Sequence, residues 1–482
     1  MQKVLILAIG DKFWVDFALK FSKRLSEQNI ESVIVMDSRI GEYQLFFKRI
    51  NYQTNSVHYL SDYVNEQGDV TMNSEHTRGN FSPVFNDYLR LKKIGLLNKI
   101  INPDLPKSNR LVAGFLDSIF SKYNISIVVH ETVSSSFSFI ASNMANAKSI
   151  PYIGFVPAKI PNRFEIKKSV NSESDEVEHI YNDIMSKKTI LSDEDINWAK
   201  NYINTLDDQV QGFMKTGTLN NLSWTNLLNN KNFRLLYGTL LYTLKENRDS
   251  SGILFRAKPI HHAVASFKRN AIRRLRKPFL KKYFDNIDEK WLKKNKFYIY
   301  PIHYQPEAST TVGAPFFDDQ LALLTQISFL LPIDSYLLIK EHKSNMGYNS
   351  ATFYRELQKL PNVKLISEDA NIKSMIKESE ALITLTGTAG YEAVLLDTPV
   401  FIFGNVSYDK HPLCKRFISW NEFEHDLIQW PVDCKSIKYD NIAFLNAYKQ
   451  YTYVGNVDYN KSEFNIGQEL LDIVIETLRK KI

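Results

Sequence analysis

The sequence predicts a two-lobed α/β protein in which two Rossmann-like domains, each built on a doubly wound parallel sheet, face a central cleft. Three observations point there. The chain has 482 residues, 44% hydrophobic and 23% charged, which suits a folded protein of two or three domains. Short apolar runs alternate with stretches of helical periodicity at the N-terminus, and the alternation restarts, more regularly, from residue 296. Between the two series lies a basic stretch, 252–296, with fourteen Lys and Arg against Asp285, Asp288 and Glu289. Its net of +11 within a total of +7 leaves the rest of the chain at −4.

In the first half, KVLILAI (3–9) reads as a strand, Trp14 to Gln28 as a helix, and ESVIVMD as a second strand. Residues 40–120 are mixed, with helices and loops expected. ISIVVHE (125–131) is a buried strand, FSFIASNMANA a helix, and SIPYIGFVP (149–157) a further strand, followed by mostly helical sequence over 176–250. In the second half the strands are KFYIYPIHY (296–304), SYLLIKEH (335–342), VKLISE, ALITLTG (381–387) and TPVFIFG (398–404). Between them lie helices at 319–331, FYRELQKL, NIKSMIKESE and YEAVLLD, and a last helix spans about 463–482. The expected units are 1–250 on the acceptor side, a basic linker 251–296, a donor-binding domain 297–460, and a C-terminal helix 461–482.

Composition excludes several classes. Two cysteines, Cys414 and Cys434, cannot make a disulfide framework or a cysteine-rich zinc module. No apolar run reaches the roughly 18–20 residues of a spanning helix. The N-terminus reads as a strand rather than a signal peptide, so a reducing, cytoplasmic setting is expected. Because the basicity is local, nucleic acid is not an expected partner. Within the basic stretch, Val264, Phe267, Ala271, Leu275 and Phe279 recur at helical spacing among Lys268, Arg269, Arg273, Arg276 and Lys277. Such a helix suits its own domain, an anionic membrane surface or a polyanionic glycan. Pro278 argues against one long regular helix.

Ligands of open parallel sheets bind beyond the carboxyl ends of the strands. There the segment 386–390, Thr-Gly-Thr-Ala-Gly, opens a helix. Thr386, Gly387 and Thr388 let backbone N–H groups and hydroxyls approach a phosphate at a helix N-terminus, and Glu392 suits two ribose hydroxyls. Alternation would put Lys340 and His342 on one side of a neighbouring strand end, where they could neutralise a departing phosphate. His303, Gln305 and Glu307 would line one cleft wall. Asp318 and Asp319 stand at a helix start, where Asp is a common cap, and no metal site is expected. In the first half Glu131 ends a strand before a Ser-rich turn. It could act as general base or nucleophile, with Asp11 a second carboxylate at the same edge.

Over about 297–410, the segments IHYQPEAST, DQLALL, IKEHKSN and LTGTAGYEAVLLDTPVFIFG resemble the capsule polysaccharide biosynthesis proteins, a group of bacterial GT-B glycosyltransferases that includes the capsule Kdo transferases. That family's Lys-x-His-Pro motif reads here Lys340-Glu341-His342-Lys343, and its Ser/Thr-Gly turn and following Glu map onto Thr386 to Gly390 and Glu392. The resemblance implies a nucleotide-activated sugar donor, with CMP among the candidate nucleotides, a glycan or glycolipid acceptor, and neither metal nor further cofactor. Teichoic-acid-type polyol-phosphate transfer, sugar-nucleotide 2-epimerisation and a non-catalytic role in capsule assembly are the alternatives.

Overall fold

A computed structural model describes residues 2–9, 12–44, 56–67, 82–93, 105–168, 174–206, 230–245, 259–434, 440–457 and 467–480. The first sheet contains β1 (Lys3–Leu7), β2 (Glu31–Met36), β3 (Ser56–Tyr59), β4 (Ile125–Glu131), β5 (Tyr152–Pro157) and β6 (Arg163–Lys167). The second contains β7 (Lys296–Pro301), β8 (Ser335–Lys340), β9 (Val363–Ile366), β10 (Ala381–Thr384), β11 (Val400–Ile402) and β12 (Cys414–Arg416). A short β13 (Tyr453–Val454) returns to the first sheet.

Strand order is β13-β6-β5-β4-β1-β2-β3 in one sheet and β12-β11-β10-β7-β8-β9 in the other. All pairings are parallel except those of β6 with β5 and with β13. In each sheet the order reverses once, between β1 and β4 and between β7 and β10, and a crevice opens at such a reversal. The central strands β1, β4, β7 and β10 are largely apolar because both of their faces are covered. Val4 and Ile6 enter one core layer and Leu5 and Leu7 the other. Phe297 and Ile299 are divided from Tyr298 and Tyr300 in the same way. This is the GT-B arrangement expected from the sequence.

The chain laces the lobes together. Helices Ser174–Met185 and Asp193–Asn204 follow the first sheet, yet Val177, Tyr181, Ala199 and Tyr202 join a core with Tyr391, Val394 and Phe444 of the second lobe. In return, the helix Gly467–Arg479 packs Leu470, Val474 and Leu478 under the first sheet. Polar contacts lock the crossing. The Arg163 guanidinium donates to Thr452 Oγ1 and to the Lys449 carbonyl, each at 2.7 Å. The buried Glu165 carboxylate accepts from Tyr448 and Ser407 across the lobes and pairs with Lys167 at 2.8 Å. Burial alone would raise the Glu165 carboxyl, but Lys167 and Lys159 outweigh it and hold it below the usual range.

Two expectations need correction. Pro278 does not break the basic helix, which runs Pro259–Leu280 and ends in a 3-10 turn at Lys281–Tyr283. The proline stands in the last turn, where few hydrogen bonds remain to be lost. The strands β7 and β8 stop at Pro301 and Lys340, earlier than their apolar runs suggested, so side-chain alternation does not extend to the residues beyond them.

Candidate functional site

The second lobe's crevice is built around His303, just past β7. Its backbone is pinned by buried Gln320, whose Oε1 accepts from His303 N–H at 2.8 Å and whose Nε2 donates to the His303 carbonyl at 3.0 Å. Its Nε2 accepts from Leu385 N–H and meets the Thr384 hydroxyl, both at 3.1 Å, so the proton sits on Nδ1. Burial, with the charges of His342 and Lys159 nearby, pushes the imidazole down to about 3. His303 is therefore a neutral brace that ties β7 to β10 across the reversal point, buried beneath the cleft rather than lining its wall.

On this brace sits the segment Thr386 to Gly390. The Thr386 hydroxyl donates to the Ser309 carbonyl at 2.7 Å, so its proton is committed and its oxygen remains an acceptor. Gly387 begins the helix Thr388–Leu395, and no side chain caps that N-terminus. A Cβ at Gly387 would come within 2.8 Å of Thr384 Oγ1 and 3.1 Å of His303 Cε1. One at Gly390 would lie 2.4 Å from the Tyr408 hydroxyl, which donates to the Gly387 carbonyl at 2.5 Å. Both glycines are required for this close packing. Gly387, Thr388 and Ala389 keep partial exposure, so the positive end of the helix faces outward from the strand end.

The remaining expected residues are distributed around this turn. Gln305 accepts from Gln320 Nε2 at 2.7 Å, and Glu307 stands exposed at the rim, accepting from Ser309 Oγ at 2.7 Å. Asp319 caps the helix Gln320–Leu330 through the N–H groups of Leu321 and Ala322, as expected. Lys340 and His342 part company. The Lys340 ammonium turns toward the β9 side and donates to the Glu368 carbonyl at 3.1 Å. Burial, reinforced by Lys343, lowers it to about 8. His342 is exposed beyond the strand end, and its Nδ1 accepts from Ser344 N–H at 3.1 Å, which places the proton of the neutral ring on Nε2. Glu392 pairs with Lys373 at 3.6 Å, and Lys373 also donates to the Leu206 carbonyl just past the helix Asp193–Asn204.

Across the cleft, Glu131 ends β4 at the first sheet's reversal point. Its carboxylate accepts from the Ser134 hydroxyl, and its carbonyl from Tyr152 at 2.9 Å. Asp11 lies outside the described residues. The helix Ser82–Lys93 joins the two reversal points, because it packs on the 308–312 turn that holds Thr386. Its Asn86 donates to the Ser134 carbonyl at 2.7 Å, while the buried Asn86 Oδ1 has no partner among the described residues.

Lys159 was not singled out from the sequence. It follows β5 in the PAKIPNRF loop, with its N–H donating to the Tyr448 hydroxyl at 2.9 Å. Burial pushes its ammonium down, against the attraction of Glu165 and then of Glu307 and Glu392, with Lys167 adding repulsion. It is thus a first-lobe cation that feels carboxylates of both lobes, and its charge helps to depress His303. Only the juxtaposition of the lobes reveals it, since a lysine in a Pro-rich loop carries no local signal.

Residues 254–417 match the family described as capsule polysaccharide biosynthesis protein, and this span contains β7 to β12, His303, His342 and the turn at 386–390. No curated protein matches the chain. Among solved structures, the β-Kdo 2,7 transferase KpsC of Thermosulfurimonas dismutans is similar at 11% identity, over 76% of this chain and 89% of that one, with a TM-score of 0.36. The β-Kdo 2,4 transferase of the same organism's KpsC is similar at 10% identity, over 73% and 87%, with a TM-score of 0.37. The UDP-GlcNAc 2-epimerase of Methanocaldococcus jannaschii, in complex with UDP-GlcNAc and UDP, is similar at 11% identity, over 99% and 100%, with a TM-score of 0.31. The similarity to the capsule polysaccharide biosynthesis proteins is thus carried by one span, 254–417, about a third of the chain.

Proposed function

We propose that this protein is a glycosyltransferase that moves a sugar from a nucleotide-activated donor, CMP-linked in the simplest form of the reading, to a growing capsular polysaccharide or its lipid-linked acceptor. The observation that carries the reading is the uncapped helix N-terminus at the β7–β10 reversal, opened by Gly387 and Thr388 inside the span that matches the family. It offers backbone N–H groups and partial positive charge to a phosphate. His342, through its Nε2–H, and Lys159 from the facing lobe would offset the charge of the leaving nucleotide, so no cation is called for. Lys340 would support the site from behind the His342 loop. Glu392 would meet the ribose by exchanging its Lys373 contact. His303 brace, Gln305 and Glu307 would shape the donor side. Glu131 would serve the acceptor hydroxyl as base, with Asn86 Oδ1 a ready acceptor beside it.

The acceptor would be met at the inner face of the membrane, with the 252–296 region as the contact. Incubation of the full chain with radiolabelled nucleotide sugars and a lipid-linked acceptor tests the reading. Label should pass to the acceptor lipid, and His342→Ala should cut turnover by about 100-fold or more while the melting temperature stays unchanged. Isomerisation of the donor without acceptor, or transfer of phosphate together with a polyol, would replace the reading, and unchanged turnover would remove His342 from it.

A further inference from the structure

The two helices that follow the interlobe pair are amphipathic in an unusual sense, because their apolar sides point out. On the helix Pro259–Leu280, Val264, Phe267, Leu275 and Phe279 are exposed, Phe279 to 74%. At about 100° per residue these four, with Ala271 and Pro278, fall within an arc of roughly 120°. The opposite side is basic and turned inward, with Arg273 buried and Lys277 part-buried. The Arg273 guanidinium is 2% exposed, donates to the Ser344 and Met346 carbonyls at 2.6 and 3.1 Å, and lies 3.8 Å from the Tyr348 ring centroid. Lys277 pairs with Glu368 at 2.9 Å. The helix is thus docked by its cations, which leaves no ambiguity about which side faces away.

The helix Asn230–Lys245 packs beside it and repeats the pattern. Phe233, Leu236, Tyr237, Leu240 and Leu244 are exposed, Leu244 to 67%, within an arc of roughly 100°. Tyr242 on the far side is buried and meets Tyr43 of the first lobe edge-on at 5.4 Å. Half of the large apolar side chains left exposed among the described residues therefore sit on two packed helices, one anchored to each lobe. Exposed cations accompany the apolar stripe: Lys268 within it, Arg276 at its flank, and Lys281 and Lys282 where the helix ends.

We propose that these two helices form one membrane-docking face, which inserts its aromatic and aliphatic side chains into the interfacial layer of an anionic bilayer while Lys268, Arg276, Lys281 and Lys282 meet lipid phosphates. Charge complementarity selects this occupant, since a soluble apolar partner would gain nothing from cations set in and around the stripe. The inference deepens the partner side of the proposed function, and adds that the face is not confined to the basic segment but recruits 230–245. It also has a consequence for the site: Arg273 ties the docked helix to the loop Glu341–Tyr348 that carries His342, so lipid contact is made one helix away from that imidazole.

Sedimentation of the full chain with vesicles tests it, using phosphatidylcholine alone against phosphatidylcholine with 30% (roughly) phosphatidylglycerol. The expected result is binding to the anionic vesicles only. Phe267→Glu with Phe279→Glu, and separately Leu240→Glu with Leu244→Glu, should each weaken partitioning at least about tenfold, and Lys268→Glu with Arg276→Glu should do the same. Nucleotide titration of each variant reports an intact fold and is independent of lipid, so loss of vesicle binding and loss of donor binding are separable. Failure of the wild-type chain to bind anionic vesicles would overturn the proposal. So would binding that the charge reversals abolish but the Phe→Glu pairs leave intact, or a doubled mass in light scattering that the Phe→Glu pairs abolish, which would assign the face to a second copy of the chain.

Discussion

His303 and Lys159 show two opposite uses of a basic side chain at one cleft. Burial strips His303 of its charge, and its Nε2 is occupied by Leu385 N–H, so it shapes the turn without reacting. Lys159 is lowered by burial too, but carboxylates from both lobes draw it back toward the charged form. Its ammonium therefore loses its proton at a lower pH than a free lysine would, and a bound phosphate would raise it again. The expected outcome is that donor affinity declines as pH rises through that lowered value. Lys159→Met should raise the donor KM by about tenfold or more at neutral pH, whereas Lys159→Arg, whose guanidinium stays charged, should keep affinity and flatten the alkaline decline. A pH profile of donor KM for the three proteins checks this, and a decline of the same steepness in Lys159→Arg would exclude the lysine as its source.

At the scale of one element, the helix Thr388–Leu395 depends on the space that Gly390 leaves for Tyr408. Gly390→Ala would drive its methyl into the Tyr408 hydroxyl and displace the bond to the Gly387 carbonyl. A loss of about 1–3 kcal/mol in stability is expected, together with weaker donor binding, and adding Tyr408→Phe should restore part of the stability. Urea unfolding of the single and double variants measures it, and full additivity of the two changes would show that the contact is not shared.

The elements that the sequence revealed most clearly are those buried on two faces, such as β4 and β8, because continuous apolar runs bounded by polar ends have few other readings. β12, with sequence CKR, and the two-residue β13 carry no such signal, and they exist only because a neighbouring strand offers them hydrogen bonds. The turn at 386–390 was legible because small residues at a strand end have few purposes. The departure of Lys340 from His342 was not, since it depends on where β8 stops. The direction of the basic helix was also hidden, because its periodicity is the same whichever side faces in.

On the scale of the whole molecule, the lobes exchange helices, so neither reversal point is held by its own lobe alone. Tyr202 and Leu206 of the first half lie against Tyr391 and Lys373 of the second, and Tyr448 reaches back to Glu165 and Lys159. Residues that would touch the donor and those that would touch the acceptor are thereby joined through one continuous set of contacts, including the helix Ser82–Lys93 between the Glu131 turn and the Thr386 turn. This lacing lets a charge on one lobe act at a turn on the other.

The most direct measurement is a structure of the full chain with CMP or UDP bound. The account predicts that the nucleotide's phosphate lies against the backbone N–H groups of Thr388 and Ala389, with His342 and Lys159 reaching it from β8 and from the facing lobe. A nucleotide seated away from the β7–β10 reversal, or a chain that binds neither nucleotide at millimolar concentration, would contradict it.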